Sequence, residues 1–301
     1  MSKQLSKAVK KVFIPKKAQA QHYSVLYKFA AGVITPDEFI KYLEKRGGAS
    51  IPPVIEKLKK FLATGQAQWS IFGDGNAKLG FLTFSSVAGV DCVGMGSCGD
   101  VCYSFKAWRF INAFMRQWQN SQLLKTADGR KQIAQALDKK LASKKVTTIR
   151  LYVDGDFANI ETVGFWQTQM RKHKTCEFYG YSKSLQTLID YHNLGGTFAP
   201  NYRLNLSEGH KYDQTVVEQA KQLPIFRGIF GMVSLQGWSG TVYDADHKTT
   251  PQARAEISRR YRALTGKASF ACPNRCDTCT PKGHACGSAR FNGVDIISAI
   301  H

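Results

Sequence analysis

Seven of the eight cysteines fall into two tight groups, and no other feature constrains the chain so strongly. Cys92, Cys98 and Cys102 form a C-x5-C-x3-C array in a loop with glycines at 94, 96 and 99. Cys272, Cys276, Cys279 and Cys286 place four thiols within 15 residues. The opening Met1-Ser2-Lys3-Gln4 carries no apolar stretch resembling a secretory signal. The longest apolar runs, 79–84 and 225–232, fall far short of the roughly 20 residues of a spanning helix. A cytoplasmic protein without membrane contact is therefore expected. In a reducing cytoplasm clustered thiols signal metal ligation rather than disulfides. Cys176, alone in Thr175-Cys176-Glu177-Phe178-Tyr179, reads as core packing.

The two groups differ in what they leave vacant. Three thiolates occupy three corners of a cluster or three positions of a metal and leave one site for substrate or cofactor. Four saturate a tetrahedral zinc or a four-iron cluster. The first group is thus expected to be the working one and the second structural or electron-transferring. Glycines let the first loop wrap an inorganic core, and its run into a helix at Tyr103 offers backbone N–H groups to an anion. Spacing does not separate iron from zinc, and a zinc-knuckle-like element beside Arg and Lys suits nucleic acid equally well. Four thiols suffice without His284, which reads as a neighbour of the site or a surface residue.

Charge adds a partner class. Lys and Arg number 42 against 22 Asp and Glu, a formal charge of +20, with 13 basic and 4 acidic residues in the first 60. Such a field draws polyanions, so nucleic acid or a nucleotide is the expected partner, with a solubilising surface as the alternative.

Along the chain, residues 1–18 read as a basic flexible arm and 19–70 as a helical subdomain. Its helices are expected at 19–31, from Thr35, and from Pro53 to before Gly65; Thr35-Pro36-Asp37-Glu38 combines an N-cap, a first-turn proline and a capping box. Residues 77–248 alternate strands (79–84, 147–153, 176–181, 202–206, 226–233) with helices (103–124, 131–142, 159–172, 185–194, 213–222). That alternation predicts parallel βα units. Residues 249–301 comprise a basic helix after Thr250-Pro251, bearing Arg254, Arg259, Arg260 and Arg262, and the cysteine-rich segment. The expected fold is α/β: a partial (βα) barrel of parallel strands with an N-terminal helical subdomain and a C-terminal cysteine-rich metal-binding segment.

Loops leaving the C-terminal ends of such strands line one ligand-binding face. Here they carry the first cysteine group, then Asp154-Gly155-Asp156, Ser182-Lys183-Ser184 and Ser207-Glu208-Gly209. Trp108, Phe114 and Trp118 read as a core stripe of a long helix. No Walker loop, dinucleotide fingerprint or zinc-protease helix is present.

The three-cysteine loop after the first strand, ending Cys102-Tyr103, resembles the cluster loop of radical S-adenosylmethionine enzymes. The resemblance implies a 4Fe-4S cluster, one or two in number, with an open iron that binds S-adenosylmethionine. It also implies cofactor contacts at Asp154, Gly155, Asp156, Ser182, Lys183 and Glu208, and an electron donor. The spacing departs from that family's C-x3-C-x2-C, which occurs instead at Cys272, Cys276 and Cys279, without an expected strand before it. Together with Gly155-Asp156-Phe157, Tyr181-Ser182-Lys183-Ser184 and the terminal cysteines, the loop is similar to the phage "gene product 88" family over residues 77–301, which implies the host cytoplasm. The reading is an iron-sulfur, radical S-adenosylmethionine-like enzyme on a nucleic acid or nucleotide. The alternative is a non-catalytic nucleic-acid-binding protein with structural zinc or iron-sulfur sites.

Overall fold

Local chemistry sets the first helices: α1 (Lys17–Ala30), α2 (Pro36–Arg46) and α3 (Ile51–Thr64). The structure is a computed structural model that describes residues 17–75, 79–143, 145–276, 279–280 and 284–300. Most of the expected basic arm thus lies outside the described residues. Before α2, Thr35 Oγ1 accepts the Glu38 N–H at 3.2 Å, and the Glu38 carboxylate accepts the Thr35 N–H at 2.7 Å, as the capping box requires. Helix α3 starts at Ile51, two residues before the expected proline, and ends at Gly65. The apolar faces of these helices join the central core, where Phe29 stacks on Trp118 at 4.8 Å and Phe39 lies 6.2 Å from Phe114.

Seven parallel strands follow: β1 (Leu82–Thr83), β2 (Thr148–Leu151), β3 (Glu177–Ser182), β4 (Tyr202–Ser207), β5 (Phe226–Ser234), β6 (Ser269–Ala271) and β7 (Asp295–Ile300). They form one sheet in the order β1-β2-β3-β4-β5-β7-β6. The five expected strands are present; β6 and β7 were not expected, and they build residues 269–300 into the sheet. Helices α4 (Ile111–Lys125) and α5 (Ala127–Leu141) connect β1 to β2. The later crossovers carry α6 (Ile160–Lys172), α7 (Leu185–Asn193), α8 (Gln214–Lys221) and α9 (Pro251–Thr265). The expected helix 103–124 begins instead as a 3-10 turn, Tyr103–Arg109. Phe105 and Trp108, three apart and both fully buried, eclipse on one side of such a turn.

Strand order explains which face each connection covers. From β1 to β5 each strand is laid beside the last in one direction, and right-handed crossovers then place their helices on one face. Ile149, Leu151, Phe178, Leu204 and Leu206 point to that face and pack with Val163, Trp166, Leu188 and Val217. Side chains alternate along a strand, so Arg150, Tyr179 and Tyr181 point to the other. The step from β6 back to β7 runs in the reverse direction, and its right-handed connection must pass over this second face. That connection carries the terminal cysteines: Ala285 and Cys286 pack there with Tyr179 and Ile296, alongside Tyr181, Phe230, Cys272 and Cys279.

Candidate metal centres

The first cysteine loop is strapped to the exits of β3 and β4 by its backbone. Gly96 N–H and Cys98 N–H both donate to Gly209 O, at 3.1 and 3.0 Å, and Lys211 N–H donates to Gly94 O at 3.1 Å. The approach leaves no room for side chains. A Cβ on Gly94 would lie 1.5 Å from Lys183 O, and one on Gly209, whose φ is +78°, would lie 2.9 Å from Cys98 Cβ. Gly89 N–H donates to Cys92 Sγ at 3.4 Å. Burial raises the Cys92 thiol well above its ordinary range, and the nearby Asp156 charge adds to this. Cys102 is raised by burial too, opposed by hydrogen bonds from Ser104.

Most of the expected cofactor-facing residues gather beside this loop, bonded largely to one another. Asp156 accepts Ser182 O–H at 2.8 Å, Lys183 N–H at 2.6 Å and Phe157 N–H at 2.8 Å. The Lys183 ammonium donates to Ser207 Oγ at 2.6 Å. Asp154 accepts from Gln117 Nε2 at 2.9 Å, and burial raises both aspartates. Gly155 sits in the turn between them, with φ +80°. Glu208 is turned to β5, where it accepts Met232 N–H at 3.3 Å; burial raises it, and its nearby charge is Asp295.

The terminal group starts directly at the end of β6, so the C-x3-C-x2-C array does have a strand before it, contrary to expectation. Three residues are too few, and too mixed in character, to stand out as a strand in sequence. Asn274 N–H donates to Cys272 Sγ at 3.4 Å and Ala285 N–H to Cys279 Sγ at 3.2 Å, while Asn205 Nδ2 holds Cys286 O at 2.9 Å. Burial raises Cys272 to about 11 and Cys286 further, with the neighbouring cysteines adding to both. His284 is buried, its ring 4.6 Å from that of Tyr179 and 4.7 Å from that of Phe81. Its Nδ1 accepts Gly287 N–H at 3.2 Å, and burial lowers it to about 4, which fixes a neutral ring that braces the segment.

Two features bear on whether a metal fits. None of the eight cysteines is in a disulfide, and among the described residues no three Cys, His, Asp or Glu side chains converge tightly enough for a single ion. One zinc holds its sulfurs about 3.8 Å apart, as follows from bonds of about 2.3 Å in a tetrahedron; a multi-iron core binds each thiolate to a different iron and spreads them farther. Second, Arg150 Nε, Tyr179 Oη and Arg275 Nε are shielded from solvent and have no acceptor among the described residues. Arg150 and Tyr179 both feel Cys276, and Arg275 adjoins it in the chain. Buried donors call for acceptors, and thiolates or inorganic sulfides supply them. The chemistry of the donor set therefore fits an anionic sulfur-ligated centre.

Sequence reasoning did not single out Arg150, Tyr179 or Tyr181. Their signal was their shared face on adjoining strands, which becomes legible only with the register Arg150 to Tyr179. On the basic helix, Arg259 and Arg260 are engaged by Glu256, and Arg260 also holds Ser234 O and Gln236 O. Among the described residues Arg254 and Arg262 make no ion pair, and Arg254 Nε is shielded from solvent. Among the described residues no helix is long and apolar enough to cross a membrane.

A sequence model described as Gene product 88 matches residues 56–292, most of the chain; the match starts before the 77–301 expected and ends before its last residues. No curated protein and no solved structure matches.

Proposed function

We propose, for a chain that belongs to the Gene product 88 family, that both cysteine groups hold iron-sulfur clusters and that the protein is a radical S-adenosylmethionine-like enzyme. The observation that carries the reading is the set of shielded donors at Arg150, Tyr179 and Arg275, without an acceptor among the described residues, beside the terminal cysteine segment. It favours an anionic cluster over empty, protonated cysteines, because metal binding deprotonates thiols that burial alone would keep neutral. The stepwise order of β1 to β5, with their helices on one face, supports a partial-barrel ancestry for the sheet.

Cys92, Cys98 and Cys102 would hold the open cluster, and Cys272, Cys276, Cys279 and Cys286 the closed one. The open cluster, once loaded, would supply an electron to S-adenosylmethionine and so start radical chemistry on a substrate. The Asp156–Ser182–Lys183 clasp fixes the loop exits, and Lys183 presents a cation with no carboxylate at salt-bridge distance among the described residues. That cation suits the carboxylate of the cofactor or a phosphate of the substrate. The charge of +20 supports a nucleic acid or nucleotide as substrate, and the chemistry requires an electron donor.

Anaerobic reconstitution, read by absorption and electron paramagnetic resonance with and without S-adenosylmethionine, tests the reading. A brown protein whose reduced signal changes on adding the cofactor, and stops changing in Cys98→Ala while the fold is retained, is the expected result. Colourless protein holding only zinc overturns it in favour of a nucleic-acid-binding module with structural metal.

A further inference from the structure

Arg150 projects from the middle of β2 onto the face that carries the terminal cysteines, opposite Thr83 of β1 and Tyr179 of β3. Its Nη2 donates to Tyr103 Oη at 3.3 Å, and that hydroxyl donates to Val153 O at 2.7 Å. Its guanidinium lies over the Tyr181 ring, 4.7 Å from the centroid. Tyr103 directly follows Cys102. On the other side its neighbours Tyr179 and Tyr181 pack in the cluster that holds Cys272, Cys279 and Cys286. This one side chain thus touches the segment of the first sulfur group and faces the second.

Among the described residues no carboxylate lies within salt-bridge distance of Arg150; the Asp154 carboxylate, which also accepts from Gln117, acts on it from farther off. Arg150 is partly buried, with its Nε shielded from solvent, so negative charge placed near it stabilises the cation. Thiolates around a metal core carry such charge.

We propose that Arg150 is a positioning residue that sets the reduction potential of the terminal centre. The inference rests on the cluster reading above. A fixed positive charge stabilises the more negative, reduced form of a neighbouring cluster and so raises its potential. Tyr103 holds the guanidinium in place, which ties the geometry at Cys102 to the charge felt at Cys272 and Cys276.

The test is an anaerobic redox titration of each centre by electron paramagnetic resonance in wild type, Arg150→Gln, Arg150→Lys and Tyr103→Phe. Arg150→Gln should lower the terminal midpoint by at least a tenfold change in equilibrium constant, about 59 mV for one electron. Arg150→Lys should hold most of the wild-type value, and Tyr103→Phe should fall between the two. The first centre should move less in every variant. An unchanged terminal midpoint in Arg150→Gln, or equal losses in the Gln and Lys variants, overturns the proposal. Should Arg150→Gln fail to take up iron, Tyr103→Phe decides, and an unchanged midpoint there overturns it as well. Wild type that binds no iron and sulfide overturns the cluster reading itself, whereas two loaded centres with unmoved midpoints overturn only the role of Arg150.

Discussion

The two sulfur groups are built by opposite means. Around Cys92, Cys98 and Cys102 the backbone does the holding: carbonyls and amides of 94–98 pair with 209–211, and Gly94 meets the β3 exit with no space for a methyl group. Around Cys272–Cys286 side chains do it, through the rings of Phe81, Tyr179, His284 and Phe230. A backbone clamp fixes a loop's path without calling on its side chains, which stay available to a ligand. Ring packing covers Cys286, while Cys272, Cys276 and Cys279 are partly exposed, as are the first three.

Three substitutions sharpen or break this contrast. The largest effect is expected from Gly94→Ala, since the new Cβ would collide with backbone at Lys183 rather than with a movable side chain. A loss of about 3 kcal/mol is expected by denaturant unfolding, together with loss of iron at the first group alone on reconstitution. Retention of both centres would mean that the clamp is dispensable. Next, Phe81→Ala removes the ring that His284 and Tyr179 pack against, at a cost of about 2 kcal/mol. Amide exchange over 284–294 should accelerate while 92–102 stays protected; equal acceleration in both would dissolve the distinction. The smallest, Asp156→Asn, replaces one acceptor of the clasp with a donor facing donors, worth about 1–2 kcal/mol. It should slow iron uptake at the first group and leave the terminal group's absorption unaltered.

The sequence made legible what was decided by neighbours in the chain. Thr35, Pro36 and Glu38 announce α2 because a cap is satisfied within four residues, and the polar exits at 154–156, 182–184 and 207–209 follow strands whose apolar bodies are unmistakable. Cys176 and the Trp108, Phe114 and Trp118 stripe are buried as expected. The rest depended on distant partners. Ser269–Ala271 is a strand only because β7 pairs with it, and Asp295–Ile300 is a central strand although no crossover helix precedes it. Nor does spacing reveal that the last crossover changes face, which depends on the strand order. The placement of Arg150 and Tyr179 beside the terminal thiols was invisible for the same reason.

The insertion of β7 between β5 and β6 has a consequence for assembly. Strand β6 makes its ladder with β7 alone, so the outer border of the sheet, the base of α9 and both ends of the cysteine-bearing crossover come into register in a single event. During synthesis the preceding strands can gather as they emerge, while this border waits for the residues that follow Val294. An inorganic core delivered before then would meet its thiols on an unanchored segment; delivered after, it must pass the aromatic rings packed against them.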